Sequence, residues 1–209
     1  MRCLCKPDNN FSWLTQALPY HLVMGELKFQ FDPEKAGQAL AVLLKRSGGK
    51  KNKGHLVKML YASDWSQLRR VGVPITGAQP VSMPQGPVLS EVLDLINGKT
   101  KHPFWEKHFT NAAQDNFVVM LKEDAPSDRL TQSEKDTLEK AHDFLEKKSW
   151  PQVKDFCHEF FNEWENPGRS QTPIDFEQML LKSGKRKQEF VDELVAIQKE
   201  KQFLSQIFA

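Results

Sequence analysis

The residue types best suited to chemistry gather in Cys157-His158-Glu159-Phe160-Phe161-Asn162. A histidine followed by glutamate opens the spacing with which helical zinc proteases hold their metal, but that motif needs a second histidine where Asn162 stands. One imidazole does not retain a catalytic zinc, so no metal site is expected. Cys157 beside His158 resembles an activated thiol. Neighbours on a helix point about 100° apart, however, and Cys157 shares an apolar stripe, which reads as a buried structural cysteine. Ser47-Gly48-Gly49-Lys50 has the glycine and lysine of a phosphate loop without its spacing, and it follows a helix where a phosphate loop follows a strand. It reads as a helix stop. These residues assemble no catalytic group, and no cofactor is expected.

Two further features bear on binding. Lys45, Arg46, Lys50, Lys51, Lys53 and Lys58 make a dense basic segment, 45–58, read as a solvated loop that also favours the end of the preceding helix. It is the chain's candidate for phosphate contacts. Without an arrayed aromatic platform, nucleic acid stands as the alternative partner and not the leading one. Trp65, Trp105, Trp150 and Trp164 are core residues by default, since large aromatics bury most of their area, although the same residue type anchors protein interfaces.

The whole chain sets bounds on these readings. It has 209 residues, 27% charged and 39% hydrophobic, long enough for a substantial core and too balanced for disorder. A formal net charge of +2 creates no field that selects nucleic acid or a membrane surface. The three cysteines, Cys3, Cys5 and Cys157, cannot all pair within one chain, which fits a reducing cytosol. No apolar run reaches the roughly 20 residues of a bilayer span, and no secretory signal opens the chain. No membrane association is expected.

The elements that position these residues follow from pattern. Residues 1–23 show no clean period and read as an extension, with Met24 an alternative start. Asp32 as cap and Pro33 at the first position open a helix whose Ala36, Leu40, Leu43 and Leu44 share a face, stopped by Gly48-Gly49. A second helix from about Lys53 to Arg70 carries Val57, Leu60, Tyr61, Trp65 and Leu68 on one stripe and ends at Gly72. Asp64 lies on that stripe, where an unpaired carboxylate would cost several kcal/mol. It must find donors or open onto a groove.

Val73 to Pro87 is too rich in proline and glycine for a helix and reads as extended pieces with turns. Pro87 is expected to begin a helix bearing Leu89, Val92, Leu93 and Ile96. After a looser stretch with Trp105 and Phe109, Phe117 to Leu121 reads as a strand. Thr131 with Glu134, and Ser149 with Gln152, are capping boxes for two consecutive helices. Thr172-Pro173 is expected to start another helix with Phe176, Met179 and Leu180. A last charged helix, from about Lys187, should turn Phe190, Leu194 and Ile197 inward, with Leu204, Ile207 and Phe208 closing the chain. The sum is an α+β, mainly α-helical single domain with a small β element and a C-terminal helical extension.

Three blocks carry a resemblance: Lys58-Met59-Leu60-Tyr61-Ala62-Ser63-Asp64-Trp65, then Gly72-Val73-Pro74-Ile75-Thr76-Gly77, then Met83-Pro84-Gln85-Gly86-Pro87-Val88-Leu89-Ser90. In this order they resemble the Panacea domain of SocA-like antitoxins, formerly described as phage-associated proteins. Leu130 to Glu134, leading to His158 and Trp164, is similar to the family's closing helices, where a histidine and a nearby tryptophan recur. Met59 stands where the family usually has leucine, and the two pack alike. The resemblance spans about Gly25 to Trp164, dividing the chain into an extension (1–23), a Panacea domain (24–166) and a C-terminal helical extension (167–209).

The resemblance implies a bacterial or phage cytoplasmic antitoxin, not an enzyme. Such a protein neutralises a cognate toxin encoded by an adjacent gene through direct binding, and one family member delivers its toxin to an ATP-dependent protease. The candidate partner-binding or structural residues are Tyr61, Asp64, Trp65, Gly86, Pro87, His158 and Trp164. Asp64 is read first as structural, accepting backbone amides of the 73–87 connector, and otherwise as part of a groove at the Gly86-Pro87 turn. The extension from Thr172 to Ala209 is the candidate for partner-specific contacts outside the resemblance, unless it packs on the core.

Overall fold

Asp32 accepts a hydrogen bond from the Lys35 amide at 2.9 Å, and Pro33 takes the first position of α1 (Pro33–Arg46). The computed structural model describes residues 26–112, 115–184 and 187–207, so Cys3, Cys5, Met24 and Phe208 lie outside the described residues. One face of α1, from Ala36 through Leu40 to Leu43 and Leu44, is fully buried, as its spacing requires. After Gly48 and Gly49 the chain forms β1 (Lys50–Asn52) and enters α2 (Lys53–Val71), which Gly72 closes in the left-handed conformation.

The central element is α2. It packs against α1, against α5 (Gln132–Glu146), α6 (Trp150–Phe160) and α7 (Phe176–Leu181), and against the strand β3 (Val88–Leu89). Enclosed on so many sides, it buries Lys58, Ser63, Asp64 and Gln67 along with Leu56, Leu60, Tyr61 and Leu68. Each buried polar group then needs a partner: Ser63 finds one within α2 on the Met59 carbonyl, while Lys58, Asp64 and Gln67 find partners that tie α2 to other parts of the chain.

Two small antiparallel sheets flank the helices. In one, β1 pairs with β5 (Asp115–Leu121), which pairs with β4 (Phe109–Ala112). In the other, β2 (Pro80–Ser82) lies between β3 and β6 (Thr172–Pro173). The remaining helices are α3 (Ser90–Ile96), α4 (Pro103–His108) and α8 (Gln188–Ile207). The architecture is the mainly helical α+β domain expected, with eight helices and two three-stranded sheets among the described residues.

Several elements depart from the pattern-based expectation for physical reasons. Pro87 does not begin a helix: Val88 and Leu89 pair with Val81 and Pro80, and α3 starts at Ser90. Thr172 and Pro173 likewise pair with Ser82 and Val81, the Ile174 amide donates to the Pro80 carbonyl at 2.8 Å, and the helix waits until Phe176. In both places a long-range ladder satisfies backbone groups that a local helix would have satisfied otherwise. The loose aromatic stretch contains α4, opened by Pro103 and capped by the His102 ring on the Phe104 amide at 3.3 Å.

In α8, Phe190 and Leu194 pack on the core, but Val191 is the buried residue and Ile197 is 40% exposed. Leu204 and Ile207 are exposed as well, since the α8 residues that pack on the core lie between Phe190 and Val195 and Gln198 then holds the backbone of Lys28. By contrast α7 is built into the core through Phe176, Met179 and Leu180. Among the described residues no helix is long and apolar enough to cross a membrane.

Candidate partner-binding groove

Three successive turns of α2 carry buried polar groups, and each group meets a different part of the chain. Asp64, 1% exposed, accepts from the amides of Ile75 at 3.1 Å and Thr76 at 3.2 Å and from the Thr76 hydroxyl. Thr76 in turn accepts from the Ala78 amide through its hydroxyl and from the Asp32 amide through its carbonyl. Asp64 thus fixes the connector that runs back past the start of α1. Gly77 makes this crossing possible, since a Cβ there would stand 2.2 Å from the Gln30 carbonyl oxygen. Burial pushes the Asp64 carboxyl up to about 7, against the pull of these donors.

One turn nearer the start of α2, the Tyr61 hydroxyl donates to Glu163 at 2.6 Å. Phe161 packs edge-on against both Tyr61 and Trp65, locking the segment after α6 onto α2. Burial raises the Glu163 carboxyl, opposed by the Tyr61 hydroxyl, the Trp65 indole and the Arg69 charge. Burial and the Glu163 charge together hold the Tyr61 hydroxyl well above its ordinary pKa. Tyr61 and Trp65 therefore serve the packing of this joint, with Trp65 8% exposed.

At the first turns of α2, Lys58 is 2% exposed and donates to the Pro87 carbonyl at 2.8 Å. Pro87 is the only acceptor for its ammonium among the described residues. Burial lowers the Lys58 pKa to about 8. Gly86, at φ +94°, leaves the room this ammonium needs: a Cβ there would stand 3.0 Å from Cys157 Cβ and 3.1 Å from Lys58 Nζ. His158 stacks on Trp164 with ring centroids 3.9 Å apart and planes 8° from parallel, and the Trp164 indole donates to the Met83 carbonyl at 2.9 Å. This stack holds the Met83–Gly86 turn against α6.

The thiol of Cys157 lies in the same place, pushed up to about 11 by burial. His158 is held below its ordinary value by burial and by the Lys58 charge. No hydrogen bond joins Cys157 to His158 among the described residues, and the thiol stays protonated at neutral pH. Among the described residues no group of three or more His, Cys, Asp or Glu is placed to hold a metal ion.

Above Lys58 a groove of about 520 Å³ opens between the start of α2 and the Met83–Gly86 turn. Its walls are Val57, Met83, Val88, Leu93, Phe117 and Trp150, and its charged lining residues are Lys53 and Lys58. Phe117 stands at the rim, 63% exposed, with the Lys53 ammonium 4.9 Å from its ring centroid. Gly54 lets the wall close, since a Cβ there would meet the Trp150 ring at 2.9 Å.

Residues 56–165, more than half of the chain, match the family described as antitoxin SocA-like, Panacea domain. The chain belongs to this SocA-like antitoxin family. No curated protein and no solved structure matches it. The matched span of this family member covers α2 from Leu56, the Met83–Gly86 turn, the rim residue Phe117, and α5 and α6.

The structure brings together Gly86, Pro87, His158 and Trp164 of the candidate residues, and it sets Tyr61 and Trp65 farther along α2, at the joint with Glu163 and Phe161. It does not bring Asp64 to the Gly86-Pro87 turn; the buried group there is Lys58. Lys58 belongs both to the basic residues of 45–58 and to the first block of the resemblance, and its place one turn before Tyr61 on α2 is the signal in the sequence for its burial.

That basic segment is not a loop. Lys45 and Arg46 end α1, Lys50 and Lys51 lie in β1, and Lys53 and Lys58 lie in α2. Its cations are largely engaged within the chain. Lys45 pairs with Asp124 at 2.5 Å, Arg46 with Asp143 and Glu139, Lys51 with Glu146, and Lys53 donates to Asn97.

Proposed function

We propose that this protein is the antitoxin of a toxin–antitoxin pair and neutralises its toxin by direct protein binding, with the interface centred on the Phe117–Trp150 groove. The observation that carries this reading is the position of the groove: its floor and most of its walls lie inside the span that matches the antitoxin family. An apolar trough with an exposed aromatic rim is the kind of surface on which protein interfaces concentrate their affinity. Internal pairing of Lys45, Arg46 and Lys51 favours a protein partner over nucleic acid.

The test is co-expression with the product of the adjacent open reading frame, scoring growth and co-purification. Growth rescue and a complex are expected, and Phe117→Ala combined with Trp150→Ala should abolish both while leaving a folded protein. A harmless neighbour and no complex would overturn the reading. Binding alone is expected to suffice, so protection should persist in a host lacking its ATP-dependent proteases. Accumulation of active toxin in that host would instead make the protein a proteolytic adaptor.

A further inference from the structure

An ammonium has three N–H donors, and Lys58 satisfies one of them on the Pro87 carbonyl. A buried cation with unmet donors carries a desolvation penalty that a fully paired one does not. Among the described residues the neighbouring side chains offer no carboxylate: Cys157 keeps its proton, and His158 and Lys53 are the other titratable groups beside the turn and in the lining. Among the described residues no acidic residue lines the groove, and both charged residues that do are lysines. The site therefore pairs apolar walls with an unmet demand for negative charge at its floor.

We propose that Lys58 is the anion-reading group of this groove, and that the occupant is a segment of the toxin which seats an apolar side chain among Met83, Phe117 and Trp150 and places a carboxylate on Lys58. The assignment of the occupant rests on the antitoxin reading above; the anion preference rests on the geometry of Lys58. The carboxylate supplies the acceptor that the fold withholds, and Lys53 at the rim adds a second cation for an acidic segment. A charge-assisted hydrogen bond to a buried ammonium discriminates an acid from its neutral amide by about 10-fold or more.

The experiment titrates the full chain with N-acetyl-leucyl-phenylalanine as the free acid and as the amide, following the Trp150 indole N–H by NMR. The acid should shift that signal and saturate at a concentration at least about 10-fold lower than the amide. Lys58→Met should remove the difference while retaining the residual apolar binding. Equal responses to acid and amide in the unmodified protein would overturn the anion-reading role, whatever the variant does. The purified complex with the neighbouring gene's product should no longer bind the acid. A complex that still binds it would overturn the toxin as occupant. If no toxin complex forms at all, the antitoxin reading fails, while the acid–amide difference still decides the role of Lys58.

Discussion

Asp64 and Lys58 stand on the same helix, six positions apart, and both are buried to within 2%. Asp64 receives the amides of Ile75 and Thr76 and the Thr76 hydroxyl, so its carboxylate is enclosed by donors that belong to the fold. Lys58 finds one carbonyl and borders a groove. The two environments separate the uses of buried charge. A group whose hydrogen-bonding capacity is met from within fixes the backbone around it. A group left partly unmet at a cavity wall is available to something outside. Tyr61, between them in sequence, belongs with Asp64, since its hydroxyl is taken by Glu163.

The largest expected break in this comparison is Asp64→Leu. It strands the Ile75 and Thr76 amides in the interior and should cost about 3–5 kcal/mol of unfolding free energy in urea. A loss below about 1 kcal/mol would show that the connector holds without Asp64. Gly86→Ala should cost about 1–3 kcal/mol, because φ +94° strains an alanine and its Cβ meets Cys157 and Lys58. Lys58→Met should lie within about 1 kcal/mol of the parent, since a buried cation with one acceptor contributes little net stability. A loss as large as that of Asp64→Leu would make Lys58 structural and erase the contrast.

The pH dependence should carry opposite signs for the two groups. Asp64 has its pKa raised from 3.8 to about 7, so the folded state holds its proton longer than the unfolded chain. Its contribution to stability is complete below about 3.8 and is lost as pH rises to about 7. Lys58 is lowered from 10.5 to about 8, so its contribution is complete above 10.5 and is lost as pH falls through about 8. Urea midpoints measured across pH should therefore fall between about 4 and 7 through Asp64 and rise between about 8 and 10.5 through Lys58. Asp64→Asn should flatten the first slope and Lys58→Met the second. A variant that flattens neither would contradict the assigned burial.

Part of this arrangement is legible in the sequence. The resemblance singled out Gly86, Pro87, His158 and Trp164, and the structure sets them around one turn. The apolar stripe of α2 marked Asp64 as a carboxylate in need of donors, and the connector amides are the donors it meets. What was not legible is which buried group the Gly86-Pro87 turn would meet. Lys58 and Asp64 lie about 120° apart around one helix that is buried on several sides, and only the path of the connector and the docking of α6 decide that Lys58 faces Pro87.

Local pattern by itself determined the long helices α1, α2, α5 and α6, because caps, stops and apolar spacing act over a few residues and agree with one another here. Tertiary structure alone decided the fate of the short segments. Pro87 and Thr172-Pro173 carry helix-start signals, yet Val88-Leu89 and Thr172-Pro173 become strands because β2 offers a ladder from a distant part of the chain. It also turned the basic segment 45–58 into paired helix and strand residues, and it left one lysine with its charge half met at the floor of a groove. Such outcomes depend on which groups meet across long sequence separations, a property that spacing along the chain does not encode.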